Sequence, residues 1–250
     1  MRYFIEFAYK GTAYHGSQVQ PNGITVQSVL EDAFRTILRM PVALTFAGRT
    51  DAGVHAEQMF AHFDLPDSDS NHTTSAVSQP GGLVSRLNRL LPEDIAVSRI
   101  YPVADDLHAR FSARSRTYEY RIATRKSPFL YEVRAFMPQP LDYEAMNEAA
   151  KLLLGTHDFA SFCKVHTDVK TTICTVTQAY WREDAQGAIF TITADRFLRN
   201  MVRAVVGTLF EVGKHKLSAE GFADIISSRS RQAAGQSAPA QGLFLTEIVY

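Results

Sequence analysis

The sequence has two cysteines, Cys163 and Cys174, in 250 residues, so no disulfide framework holds it together. No apolar stretch reaches the roughly 20 residues that a membrane-spanning helix needs. The start, Met1-Arg2-Tyr3-Phe4-Ile5-Glu6, runs directly into an alternating strand pattern rather than a signal peptide. A cytoplasmic protein with no membrane association is expected. There is no excess of either charge, with 26 basic and 26 acidic side chains, which counts against a surface uniformly coated for phosphate binding. Three motifs are missing: Gly-x-x-x-x-Gly-Lys-Ser/Thr, a Gly-x-Gly-x-x-Gly after a strand, and Gly-x-Ser-x-Gly. Nucleotide-driven, dinucleotide and serine-hydrolase chemistry therefore lack support. His55-Ala56-Glu57 matches the H-x-E of zinc nucleobase deaminases, but that signature also requires Pro-Cys-x-x-Cys, which the two cysteines do not supply. The histidines His15, His62, His108, His157 and His166 fall at no metal-ligand spacing. Neither a metal nor a cofactor is expected.

What is present is a globular composition, 46% hydrophobic, with basic residues in clusters. Arg110, Arg114, Arg116, Arg121, Arg125, Lys126 and Arg134 lie close together, as do Arg196, Arg199, Arg203, Lys214 and Lys216. A neutral chain can carry a basic cleft in this way, although such runs are more often solvated faces.

Alternation predicts strands over 3–9, 42–47, 58–63 and 95–103. Val26, Val29, Leu30, Ala33, Phe34, Ile37 and Leu38 recur at helical spacing behind Thr25, a suitable N-cap, with Pro41 as the stop. Residues 66–82 read as a long polar loop, followed by a short helix with Leu83, Val84, Leu87, Leu90 and Leu91 apolar. The first part thus has the order β-α-β-β-α-β, the ferredoxin-like arrangement. The second part contains a long Arg/Tyr strand over 114–121, a short strand over 135–137 and a helix capped by Asp142 and ended by Gly155. A hairpin around Asp184-Ala185-Gln186-Gly187 follows, then two helices and a last strand over 243–250. On the first of those helices Arg196, Arg199, Arg203 and Gly207 align at i, i+3, i+4 spacing. The order again approximates β-α-β-β-α-β. The expected fold is α+β, with two ferredoxin-like subdomains, 1–104 and 105–250. Joined edge to edge, they make one wide antiparallel sheet with helices on one face and a central cleft.

Chemistry centres on Gly48-Arg49-Thr50-Asp51-Ala52-Gly53-Val54-His55, between two strand patterns. Two glycines permit a tight turn that holds the Asp51 carboxylate on a rigid base, with Arg49 two residues away. Taken alone, the stretch also reads as a plain turn in which Asp51 caps its own backbone. Tyr118 and Tyr120 on the long strand suit base stacking, and equally suit a core.

These stretches, with others, resemble the TruA family of tRNA pseudouridine synthases. The matching motifs are Tyr9-Lys10-Gly11-Thr12-Ala13-Tyr14-His15-Gly16, the Asp51 loop, His108-Ala109-Arg110-Phe111-Ser112-Ala113 and Arg116-Thr117-Tyr118-Glu119-Tyr120. Asp158-Phe159-Ala160-Ser161-Phe162, Phe197-Leu198-Arg199-Asn200-Met201-Val202-Arg203 and Gly242-Leu243-Phe244-Leu245 complete the set. The resemblance implies isomerisation of uridine to pseudouridine in the anticodon arm of tRNA by a homodimer that needs no cofactor or metal. It puts Asp51 on the catalytic aspartate, Tyr118 on a tyrosine packing against the target base, and Arg203 on an arginine pairing with the aspartate. It puts Arg49 on a residue that displaces the base and Leu243 and Leu245 on the uracil pocket wall; Arg110 and Arg199 are further candidates for substrate binding. One departure is visible: Gly16-Ser17-Gln18 stands where the family usually has Gly-Trp-Gln. The 66–82 stretch also looks longer than usual. A non-catalytic RNA-binding protein on the same scaffold is the competing reading. Binding alone would not need Arg49, Asp51, Tyr118 and Arg203 together.

Overall fold

A computed structural model describes residues 1–66, 80–164 and 170–250. The fold is α+β. The chain forms two compact units, one of Met1–Arg114 with Leu245–Tyr250, the other of Ser115–Phe244.

The first unit runs β1 (Arg2–Tyr9), α1 (Val26–Leu38), β2 (Thr45–Phe46), β3 (His55–Asp64), α2 (Pro80–Leu90) and β4 (Ile95–Val103). β1 lies between β3 and β4, antiparallel to both, with Phe4 opposite His62 on one side and Tyr101 on the other; β2 pairs with β3. Phe4 and Ile5, adjacent on β1, are both buried, as expected for a central strand covered on both faces. α1 starts where the sequence indicates. The Thr25 hydroxyl accepts from the Ser28 N–H at 3.2 Å, and the Ser28 hydroxyl accepts from the Thr25 N–H at 3.1 Å. This reciprocal pair satisfies two donors at the helix start. The helix ends before Pro41, because Arg39 takes φ 57° and donates its N–H to Arg35 O, a left-handed cap without the usual glycine.

Three expectations are corrected here. The strand predicted over 42–47 shrinks to Thr45–Phe46. α1 takes the backbone of Leu44 away from the sheet: Glu31 accepts its N–H at 2.9 Å and Gln27 donates to its carbonyl at 3.0 Å. The loop predicted over 66–82 gives up its end to α2, which opens on Pro80, the helix position where a missing N–H costs nothing. The remainder of that prediction, 67–79, lies outside the described residues. Residues 105–114, predicted in the second part, belong with the first unit. Arg2 ties them down through its N–H to Asp105 Oδ1 (3.0 Å) and its guanidinium to Leu107 O (3.1 Å). Ala109 N–H donates to His62 Nδ1 and Arg114 N–H to Val249 O.

The second unit runs β5 (Ser115–Ala123), β6 (Ala135–Phe136), α3 (Tyr143–Lys151), β7 (Gly155–Asp158), β8 (Ile173–Asp184), β9 (Gly187–Ala194), α4 (Met201–Gly213) and α5 (Ala219–Ser228). β10 (Leu243–Val249) begins in this unit and ends in the first. The strand order is β5-β9-β8-β7, antiparallel throughout, with β6 parallel to β5. The β8–β9 hairpin forms as predicted. Asp184 accepts from the Gln186 and Gly187 N–H groups (2.9 and 2.8 Å), and its carboxylate is clasped by Arg134. α3 is capped by Asp142, whose carboxylate accepts the Ala145 N–H at 2.9 Å. It ends at Lys151, ahead of Gly155; that glycine, at φ 95°, opens a strand that the sequence reading missed. α4 carries an almost wholly buried run through Leu209 and Phe210. The predicted alignment of four residues on it is wrong. Asn200, at φ 66°, breaks the backbone just before Met201, so Arg196 and Arg199 precede the helix, and only Arg203 and Gly207 are on it.

Candidate active site

Asp51 sits in a turn clasped from behind by the segment that follows β1. The Ser17 hydroxyl, fully buried, accepts the Thr50 N–H at 2.9 Å, and the Ser17 N–H donates to Thr50 O at 3.2 Å. The hydroxyls of Tyr9 and Thr50 are 2.7 Å apart and buried. At the other end of the turn, Gly11 N–H donates to Nδ1 of buried His55 at 2.9 Å. Inside it, Val54 N–H donates to Asp51 O at 3.1 Å. Two glycines make this close approach possible. A Cβ on Gly11 would lie 1.9 Å from Val54 O, and one on Gly16, at φ 92°, would lie 2.8 Å from Thr50 O. The first N–H groups of α1 are drawn into the same frame, Val26 donating to Gly16 O and Gln27 to Ser17 O. Thr50, just before the acid, and His55, at the end of the turn, are thus positioned by groups more than thirty residues earlier, so the carboxylate is presented from a fixed backbone.

In the second unit Arg203 is held on α4 by the loop before β10. Its Nε donates to Ala238 O at 2.7 Å, and its own carbonyl accepts the Ala238 N–H at 2.9 Å. That loop lies against the helix because Gly207 has no side chain; a Cβ there would be 1.7 Å from Gln236 O. Gly235 N–H to Thr208 Oγ1 (2.9 Å) and Asn200 Nδ2 to Ser237 Oγ (2.7 Å) fasten it further. Tyr118 packs edge-on against Phe197, with centroids 5.0 Å apart. Tyr120 is a core residue: fully buried, it donates to Pro239 O at 2.9 Å. Burial drives its phenol pKa up, against the pull of nearby Arg203. Leu243 is buried, and Arg199 is exposed with its carbonyl accepting the Lys164 N–H.

Relatives match along the whole chain, and a family model described as tRNA pseudouridine synthase matches residues 149–250 in its second half. The tRNA pseudouridine synthase A of Porphyromonas gingivalis is 53% identical over 252 residues, covering 100% of this chain and 97% of that protein. Those of Bacteroides fragilis and Parabacteroides distasonis are 51% and 49% identical, each over 100% of this chain and 96% of theirs. The chain belongs to the tRNA pseudouridine synthase family.

The expected pseudouridine synthase residues divide between the units. Arg49, Asp51, Arg110 and Leu245 are in the first; Tyr118, Arg199, Arg203 and Leu243 are in the second. Within the first unit the structure brings Arg49 and Arg110 to one cavity of about 410 Å³, which His108 and Phe111 also line. The H-x-E histidine, His55, serves as the acceptor for Gly11. Sequence reasoning missed the Ser17–Thr50 exchange and the Arg203–Ala238 clamp. The matched Gly11 and Gly16 were a signal for the first, since glycine is needed where backbones touch. Gly207, inside a helix and beside Arg203, was a signal for the second.

Proposed function

We propose that this chain isomerises uridine to pseudouridine in the anticodon stem-loop of tRNA, and that it does so as a cytoplasmic homodimer without metal or cofactor. The observation that carries the reading is the Asp51 turn: a carboxylate on a backbone held by buried hydrogen bonds, in a chain about half identical to tRNA pseudouridine synthases along its whole length. Each unit reads as a ferredoxin-like subdomain. The order β4-β1-β3 with β2 beside β3, and β5-β9-β8 in the second unit, supports that. The first subdomain supplies the acid loop and the second the Tyr118 strand and Arg203 helix.

The reaction breaks the N1–C1′ bond, turns the uracil and joins C5 to C1′. C5 gives up its proton and N1 gains one, so nothing is consumed. The uridine leaves its stack first, at a cost of a few kcal/mol. Arg49 fills the space left and Tyr118 packs on the uracil, with Leu243 and Leu245 walling its pocket and Arg110 and Arg199 holding backbone phosphates. Asp51 acts as the catalytic carboxylate, either attacking covalently or removing a sugar proton, and Arg203 is the arginine that the family resemblance pairs with it.

The test is release of tritium from C5-labelled tRNA transcripts without added metal or nucleotide. Wild type releases it. Asp51→Asn folds and binds tRNA but loses on the order of a thousandfold or more in rate. Release by Asp51→Asn at the normal rate removes Asp51 from the chemistry. No release by a wild type that binds tRNA leaves a binding protein.

A further inference from the structure

Residues 108–112 of the first unit present an aromatic ring to solvent on a frame that fixes it. Phe111 is 77% exposed. A single exposed hydrophobic residue is ordinary, but this one is not on a loose tip. His108 N–H donates to Ser112 Oγ and Ser112 N–H to His108 O, both at 2.9 Å. Nδ1 of His108 accepts from the N–H groups of Arg110 (3.1 Å) and Phe111 (3.3 Å). Ala109 is pinned on both sides, its N–H to His62 Nδ1 at 3.2 Å and its carbonyl to the Tyr250 hydroxyl at 2.7 Å. The Arg110 guanidinium lies 5.6 Å from the Phe111 ring centroid, within cation–π range, and the His108 ring lies 4.4 Å from it.

The cavity beside this ring has the volume of a small-ligand site. Gln18, Gln27, Arg49, His108, Arg110 and Phe111 are among its lining residues, and the charges there, Arg49 and Arg110, are both positive. His108 adds none near neutral pH. Its Nδ1 is an acceptor, and burial with the nearby Arg2 lowers its pKa. A planar hydrophobic face, two guanidiniums and amide groups match a nucleobase with its phosphates: the ring stacks the base and arginine holds the phosphate. Arg49 connects this cavity to the acid loop, two residues from Asp51.

We propose that this groove seats an unpaired loop base flanking the target uridine, stacked on Phe111 with an adjoining phosphate on Arg110. The proposal rests on the reading of the substrate as an RNA stem-loop.

The test is the affinity of an anticodon stem-loop for wild type, Phe111→Ala and Phe111→Trp, with each loop nucleotide made abasic in turn. Phe111 is exposed, so both variants fold. Phe111→Ala binds about tenfold more weakly, as expected for one lost base–aromatic stack, and Phe111→Trp binds at least as well as wild type. One abasic position, next to the target, weakens wild type by the same factor and has no effect on Phe111→Ala. The proposal is overturned if Phe111→Ala stays within about twofold of wild type, if every abasic position costs both proteins alike, or if the coupled position is the reacting uridine itself. Tritium release by wild type is scored separately, so a failure of the isomerase reading is distinguishable from a failure of the groove.

Discussion

Asp51 and Arg203 are held by opposite means. The Asp51 turn buries Thr50, Val54 and His55 but leaves Asp51, Ala52 and Gly53 at least partly exposed. It is positioned by hydrogen bonds from Ser17, Tyr9 and Gly11, each from a segment distant in sequence. Arg203 stands on a helix whose Ala204, Val205, Val206 and Leu209 are fully buried, and its side chain is then trimmed by one loop through Ala238. Hydrophobic burial is strong and non-directional, so it anchors a helix but does not aim a side chain. Hydrogen bonds are directional and modest in net energy, and costly when broken inside the fold. The first site is therefore the more precisely built and the more easily spoiled.

The glycines at the two close approaches break this comparison most severely. Gly11→Ala places a Cβ 1.9 Å from Val54 O, with Val54 bonded back to Asp51, so the turn itself must move. The expected cost is about 3 kcal/mol, the upper end for overpacking, with activity lost in the same variant. Gly207→Ala has a closer overlap, 1.7 Å from Gln236 O, yet the helix gains about 1 kcal/mol from alanine and the neighbouring loop can lift away. Stability should fall by only about 1–2 kcal/mol, while isomerisation falls as sharply as in an Arg203 variant. Chemical denaturation and tritium release on both variants check this. Equal stability losses would mean that the loop before β10 is as rigid as the Asp51 turn.

The same contrast explains what the sequence disclosed. α1, β4, the β8–β9 hairpin and both capping residues, Thr25 and Asp142, are set by local pattern, and they were readable. β2 was not, because side chains of α1 take over the backbone of Leu44. Nor was the start of α4, where Asn200 turns left-handed without being glycine. At the site, Asp51 and its flanking glycines stood out. The groups that aim it did not, because Ser17 and Tyr9 meet Thr50 only after the chain has folded. No periodicity marks a contact between residues so far apart.

Acid should separate the units next. His62 is buried, and its Nδ1 accepts the Ala109 N–H. Burial first, then Arg2 and His108, lower its pKa from 6.5 to about 4, against an opposing pull from Asp64. Between those values the unfolded chain binds a proton that the folded chain refuses. Stability is therefore full above pH 6.5 and falls as pH drops towards 4, by at most about 3 kcal/mol. In the second unit Asp184 is lowered from 3.8 chiefly by its hydrogen bond with Arg134, and Glu220 is likewise held below its ordinary value. Either contribution is lost only below the group's ordinary value. The single tryptophan, Trp181, is buried in the second unit and reports on it alone. At pH 5, hydrogen exchange over 105–114 should rise while Trp181 emission holds. Simultaneous change would show that the two units yield to acid together.

The smallest expected effect on stability is the sharpest test of aim. Ser17→Ala removes the acceptor for the buried Thr50 N–H and leaves the backbone bond to Thr50 O in place. An unsatisfied buried donor costs about 1–2 kcal/mol, too little to unfold the protein. If the bond only stabilises, the folded fraction should turn over normally. If it aims Asp51, kcat falls about tenfold or more with KM unchanged, because misplacing a reacting group raises the barrier without touching RNA affinity. The corresponding change in the second unit, Ser237→Ala, leaves the bond from Arg203 Nε to the Ala238 carbonyl intact and should leave kcat within about twofold. The pair measures whether one hydroxyl behind the acid in the first unit matters more than one beside the arginine in the second.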